Sequence, residues 1–173
     1  MIDPAWKRIC GLHVQDNADM ATVWLAYDKT TDVVHMYDAC VFKAELPVVV
    51  AEGLNARGRW IPISWNNDGK EMAESLLDRG CSTLRDGVTD SDAMAEVVSR
   101  DIQERQRTGR FKVDKRLGEW LDEFKTFYRQ GAKVPRDGYP LMSATRHAME
   151  NIAYAKRQSS KKKQRHYAQV AIV

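Results

Sequence analysis

Few residue types in this chain are equipped for chemistry, and their spacing narrows the field further. Cys10, Cys40 and Cys81 are odd in number and match no paired C-x-x-C pattern. Cys10 and Cys40 lie in apolar, strand-like runs, where a reduced cysteine behaves as a small hydrophobe. Inert thiols are therefore expected, rather than a disulfide or a zinc site. Asp68 follows the apolar run Trp60-Ile61-Pro62-Ile63-Ser64-Trp65 and precedes Gly69; read locally, an Asp-Gly pair marks a turn. The basic residues are unevenly placed. All 24 acidic residues lie at or before Glu150, whereas six of the 27 basic residues fall within 156–165, leaving residues 1–155 with a net charge of −3. This cluster contains Lys161, Lys162 and Lys163, with Tyr154, His166 and Tyr167 close by. Such a patch suits a nucleic-acid backbone, because Lys and Arg release counterions from a polyanion; a merely solvating tail is the competing reading. A second basic stretch runs over residues 107–116 and includes Arg110, Lys112, Lys115 and Arg116. No G-x-x-x-x-G-K-[ST] loop occurs, so no ATP-driven motor is expected in this chain.

The elements that must position these residues are legible from periodicity. Residues 8–14, 20–27 and 32–40 read as three strands joined by short polar turns, which favours an antiparallel meander. Residues 47–56 are compatible with a helix and 60–65 with a short buried strand, while 70–78 form a helix with Met72, Leu76 and Leu77 on one side. A short strand is expected at 81–84. A helix over 92–106 carries Ala93, Val97, Val98 and Ile102 as its apolar stripe, and 111–113 is another brief strand. Leu117, Trp120, Leu121, Phe124 and Tyr128 then mark an amphipathic helix, and Met142, Thr145, Met149 and Ile152 a final one. A length of 173 residues and a 43% hydrophobic fraction suit one compact domain over residues 1–155 with a basic tail over 156–173. No apolar run approaches the roughly 20 residues that span a bilayer, and the first residues lack a signal-peptide layout, so a cytosolic protein is expected.

Three blocks carry more than periodicity. They are Gly109-Arg110-Phe111-Lys112-Val113, Trp120-Leu121-Asp122-Glu123-Phe124-Lys125-Thr126-Phe127-Tyr128-Arg129, and Leu141-Met142-Ser143-Ala144-Thr145-Arg146-His147-Ala148. In this order the chain resembles the C-terminal nuclease domain of phage large terminase subunits, whose members read similarly to T-G-R-[FW]-K-V, W-L-x-E-[FY]-[RK]-x-[FY] and D-D-L-M-S-A-T-R-Y. The resemblance implies an α/β, RNase H-like fold: a central mixed β-sheet, an antiparallel meander followed by parallel strands, flanked by helices. It also implies a metal-dependent endodeoxyribonuclease that cuts concatemeric viral DNA during packaging. The partners implied are double-stranded DNA, the terminase ATPase domain, the small terminase subunit and the portal, with no membrane. The setting implied is the cytoplasm of an infected bacterial host, and the chain would be an excised domain or a free-standing relative. The second function considered is a catalytically degenerate nuclease fold that acts as a DNA- or protein-binding module.

The chemistry implied is phosphodiester hydrolysis by two Mg²⁺ or Mn²⁺ ions roughly 3.5–4 Å apart. Hard cations require oxygen donors, so several carboxylates must converge from separate strands. Ile61-Pro62-Ile63-Ser64-Trp65-Asn66-Asn67-Asp68-Gly69 is similar to the family's I-P-V-x-W-P-H-D-G, which makes Asp68 a candidate metal ligand. Gly11-Leu12-His13-Val14-Gln15-Asp16 aligns with G-[IL]-D-x-G, so His13 stands where a carboxylate is expected. Three readings of that position stand: an impaired nuclease, a rearranged site that uses Asp16 or His13, and a deliberate substitution. Asp137 matches the family's Arg-Asp before the last helix, with two additional residues between them, and Pro140 suits the first turn of that helix. Arg146 is a candidate phosphate contact or a structural ion-pair partner. Asp19, Asp28 and Asp38 are expected at solvated positions, and Glu119, Asp122 and Glu123 on a polar outer face.

Overall fold

The computed structural model describes residues 2–15, 19–89, 91–127, 134–135 and 138–159. Asp16, Tyr128, Asp137, Lys161, Lys162 and Lys163 lie outside the described residues. Strands β1 (Lys7–Val14), β2 (Met20–Asp28) and β3 (Val33–Phe42) form the expected antiparallel meander, with Ile9 paired to Leu25 and Tyr27 to Val34. Helix α1 (Pro47–Gly58) crosses over to β4 (Ile63–Trp65), which lies parallel to β1 with Cys10 beside Ile63 and Leu12 beside Trp65. Helices α2 (Lys70–Asp78) and α3 (Asp92–Arg107) follow, and then β5 (Phe111–Val113) adds in parallel to β3. Helices α4 (Gly118–Thr126) and α5 (Pro140–Glu150) close the chain onto the sheet. The five-stranded order is β4-β1-β2-β3-β5. Residues 81–84 make a single parallel bridge, Thr83 to Ile63, in place of the expected strand.

Period-two alternation divides the apolar residues between two cores. Ile9, Val23, Leu25, Val34 and Met36 pack with Val98, Trp120, Leu141, Ala144 and Ala148 beneath α3, α4 and α5. Cys10, Leu12 and Trp24 face the other way, toward Val50, Leu54 and Leu76 of α1 and α2. Helix α5 lies directly on β1: a Cβ added at Gly11 would sit 2.0 Å from the Ala144 carbonyl oxygen. That contact fixes the face on which His13, two residues further along β1, is presented.

Two apolar stripes differ from the sequence expectation. In α3, Val97 is 62% exposed and Ala93 is exposed, while Ala95, Val98 and Ser99 are buried. Small residues at 95 and 99 let that face approach the sheet more closely than valine would. In α2, Leu76 is buried as expected, but Leu77 is 56% exposed and Ala73 is buried in its place. Ile152 belongs to a separate 3-10 turn, Ile152–Tyr154, beyond the end of α5. The cysteines are free, with Cys10 and Cys81 buried and Cys40 partly so.

Candidate functional site

The ends of β1 and β4 are pinned together by a side chain. Asn66 accepts a hydrogen bond from the Val14 amide at 2.9 Å and donates to the Val14 carbonyl at 3.3 Å. This amide closes the sheet where the two parallel strands run out of partners, satisfying backbone groups that would otherwise be orphaned. Asp68 follows in the 3-10 turn Asn67–Gly69. Gly69 is needed there, because a Cβ would fall 2.7 Å from Val14 Cγ2. The turn delivers Asp68 to solvent, where it lines an open hollow of about 400 Å³ with Val14, Gln15, Pro47, Glu71, Met72 and Ser75.

His13 points toward α5, on the face of β1 that carries Ile9 and Gly11. Its Nδ1 lies 3.2 Å from Nε2 of His147, with ring centroids 5.4 Å apart and planes tilted by 34°. His147 is 1% exposed. Its carbonyl accepts from Ser64 Oγ at 2.7 Å, and Asn151 donates to the same hydroxyl at 2.8 Å, so β4 and the end of α5 are held in one polar network. From sequence, His13 stands out but its partner does not. The available signal was coincidence: His147 replaces the family's Tyr in the same chain in which His13 stands in place of Asp.

The oxygen donors required by Mg²⁺ or Mn²⁺ are not assembled among the described residues. No group of three His, Cys, Asp or Glu side chains there is placed to hold a metal ion. Asp68 is a lone carboxylate at the strand end with Glu71 on the wall of the same hollow, and His13 offers nitrogen. The described residues alone supply fewer oxygens than a pair of hard cations requires, and Asp16 and Asp137 lie outside them.

The three sequence blocks prove to be an interlocking frame. Pro140 occupies the first turn of α5, as expected, and that turn contains no acidic residue. Glu123 supplies the missing cap from α4: its carboxylate accepts from the Met142 amide at 2.7 Å and the Leu141 amide at 3.2 Å. Glu123 is thus drawn inward from the expected outer face, and burial pushes its pKa up against those two hydrogen bonds and the nearby Arg146 charge. Trp120 donates its indole N–H to Thr145 Oγ1 at 3.0 Å. Arg146 is 3% exposed and donates to Ser143 Oγ at 3.0 Å. Arg110 is half committed as well. It donates to Asp32 at 2.7 Å, beside Arg105, which donates to the same carboxylate at 3.1 Å. The Thr-Gly-Arg block thereby ends α3, through Gly109 at φ +71°, and ties it to the β2–β3 turn. Lys112 and Lys115 are exposed, and Arg116 pairs with Asp114 at 2.6 Å while remaining largely exposed. Asp19, Asp28 and Asp38 hold, respectively, the Ala44 amide, the Thr30–Thr31 turn and Arg57.

The whole arrangement superposes on solved structures. The nuclease domain of the P22 large terminase matches with a TM-score of 0.81 and 20% identity over 91% of this chain and 87% of that one. The chain has the large terminase nuclease fold. The SPP1 large terminase nuclease domain with bound Mn matches with a TM-score of 0.68 and 17% identity over 84% of this chain and 86% of that one. That from the thermophilic phage G20c gives 0.63 and 18% over 86% and 84%, and it has also been solved with cobalt and with zinc. The chain spans only 41% of the large terminase of a second thermophilic bacteriophage, matching at TM-score 0.69 and 10% identity. The RNase H-like expectation is met by the mixed, open five-stranded sheet between helical layers. No family model and no curated protein matches the chain.

Proposed function

We propose that this chain is the nuclease domain of a phage DNA-packaging terminase and acts on double-stranded DNA. The observation that carries the reading is the fold match over nine-tenths of the chain, together with Asp68 just beyond β4 at the end where β1 and β4 run side by side. Lys112, Lys115 and Arg116 are the described cations proposed to hold phosphates, with Lys161, Lys162 and Lys163 of the tail adding contacts without sequence preference. Asp68 is the carboxylate proposed to anchor the reacting phosphodiester site, and Asp16 and Asp137 are the further oxygen donors that Mg²⁺ or Mn²⁺ would require. The terminase ATPase domain, the small subunit and the portal are the proposed assembly partners, in the cytoplasm of the infected host. No helix among the described residues is long and apolar enough to cross a membrane.

The His13–His147 contact favours a second reading. An imidazole pair at the position where a carboxylate is expected suits a domain that has kept the fold as a DNA- or protein-binding module and lost cleavage. Conversion of supercoiled plasmid to nicked or linear DNA separates the two readings. Metal-dependent conversion by the parent that disappears in Asp68→Asn supports the nuclease. Saturable plasmid binding without conversion, in every divalent ion tried, supports the module.

A further inference from the structure

Helices α3, α4 and α5 enclose a second cavity, of about 140 Å³, which shares no lining residue with the hollow beside Asp68. We infer that it binds a single pyrimidine ring, supplied by an unpaired base of a DNA strand; the source of the ring rests on the reading of this chain as a protein that acts on DNA. One wall is aromatic. Trp120 and Phe124 stack with centroids 5.1 Å apart and planes 9° from parallel, and Phe127 lies alongside, edge-on to Tyr139. Phe124 is 38% exposed, so this wall opens to solvent. Bases stack on such rings whatever their sequence, because every base has a π-face. Size then selects among bases. An apolar cavity of about 150 Å³ in another protein admits benzene, so about 140 Å³ holds one six-membered ring and excludes the two fused rings of a purine.

The wall supplied by α3 asks for a polar partner. Ser99 is 6% exposed, and its buried hydroxyl has no hydrogen-bond partner. A buried serine or threonine in a helix ordinarily returns its hydroxyl to the carbonyl four residues back. Thr145, on the α5 wall, does so with Leu141 at 2.7 Å and also accepts the Trp120 indole N–H. Ser99 does not, and a buried polar group left unpaired costs stability until a partner arrives. Gln103 and Gln106 continue the same wall. Their carboxamides carry both donors and an acceptor, the complement of a pyrimidine edge on which carbonyl and N–H groups alternate. An apolar protein side chain would fill the space but satisfy none of these three residues. Arg107 and Lys125 directly follow Gln106 and Phe124 in the chain and are 73% and 71% exposed, in surface pairs with Glu104 and Asp122. Such pairs contribute little, so either cation exchanges its partner for a flanking phosphate at small cost.

The test follows the isotope-labelled full chain by NMR without divalent ions, reading the Trp120 indole and the Gln103 and Gln106 side-chain amides. The probes are thymidine, hexathymidylate, hexadeoxyadenylate and N-acetylphenylalanine amide. The variants are Phe124→Ala, Gln103→Ala and Ser99→Val, which keeps the shape of the side chain and removes the hydroxyl. Phe124 and Gln103 are exposed, so their variants keep the test open if Ser99→Val does not fold. Val97→Ala, at a site 62% exposed that does not line the cavity, is the control. Saturable shifts at the three reporters are expected with hexathymidylate, which should bind at least about five-fold more tightly than hexadeoxyadenylate. Phe124→Ala should weaken it at least about five-fold, the low end of what a base–aromatic stack contributes, and Val97→Ala should not. Thymidine that binds as tightly as the strand assigns the same ring site to a free nucleoside. The site is overturned if the reporters do not move, if hexadeoxyadenylate binds equally well, or if Phe124→Ala changes nothing. It is also overturned if N-acetylphenylalanine amide moves the reporters at lower concentration than thymidine, which would mark a pocket for a protein side chain. Plasmid conversion by the same samples, with divalent ions added, reports on the nuclease reading separately. Reporter shifts without plasmid conversion sustain the site and count against the nuclease. Conversion with unmoved reporters overturns the site and leaves the nuclease standing.

Discussion

Removing the Glu123 carboxylate should loosen the end of α5 that abuts the sheet. Pro140 has no amide hydrogen, so the first free N–H groups of α5 belong to Leu141 and Met142, and Glu123 accepts from both. Loss of a helix cap costs about 0.5–2 kcal/mol, and hydrogen bonds to a charged group contribute about 1.5–3 kcal/mol each before desolvation is subtracted. Glu123 is itself partly buried, and burial raises its pKa above the ordinary 4.5. The desolvation cost offsets part of the gain, so Glu123→Ala is expected to lose about 2 kcal/mol. For a fold of this size that is a fall in Tm of roughly 4–8 °C. Glu123→Gln keeps an acceptor oxygen and should lose about half as much. The pH dependence has a definite sign. A folded pKa raised above the unfolded value means that the folded state takes up the proton more readily. The associated stability is fully present below about pH 4.5 and is lost as pH rises through the raised value. Wild type should therefore gain on Glu123→Gln as pH is lowered from about 7 toward about 5, as read by urea unfolding followed through tryptophan fluorescence. An alanine variant within about 0.5 kcal/mol of wild type would refute the capping role. A gap that moves in wild type's favour as pH rises would refute the electrostatic argument.

Gly11→Ala should cost about 3 kcal/mol or abolish folding, since the added methyl meets the backbone of α5 at 2.0 Å and neither element can yield; soluble yield and Tm report this. Asp32→Ala should cost about 1 kcal/mol, because the carboxylate it removes binds Tyr27, Arg105 and Arg110 at a partly exposed site. Burial alone would raise the Asp32 pKa, but hydrogen bonds from Arg105 and Tyr27 and the neighbouring guanidinium charge hold it below its usual value. The difference between wild type and Asp32→Ala should accordingly persist above about pH 4 and shrink below it, as measured by denaturant midpoints. Cys10 and Cys81 should resist a thiol reagent in the native chain, because both are buried and burial raises their pKa values, whereas all three cysteines should react in denaturant.

Much of this fold was legible because its strands are β-favouring runs separated by polar turns and two of its helices open on proline. Pro47 and Pro140 mark helix starts, whereas the Ser91 cap of α3, which accepts from the Met94 amide, emerged only from the structure. Helix faces were less legible. Valine at 97 and leucine at 77 are apolar enough to suggest burial, but the tighter-fitting small residues at 95, 99 and 73 claim the contact surface. The site was legible in outline only. Asp68 was reachable from the strand before it, whereas the roles of Glu123 and Arg146 depend on α4 and α5 lying side by side, which sequence spacing does not express. The pairing of His13 with His147 spans 134 residues and required the register of β1 against α5.

The most direct measurement of the central claim is cleavage of supercoiled plasmid by the full chain, with Mg²⁺, Mn²⁺, Co²⁺ and Zn²⁺ each supplied in turn, against Asp68→Asn. The account predicts nicking or linearisation by the parent with at least one of these ions and none by Asp68→Asn at equal stability. Cutting that survives Asp68→Asn, or a parent inert with all four ions, would contradict it.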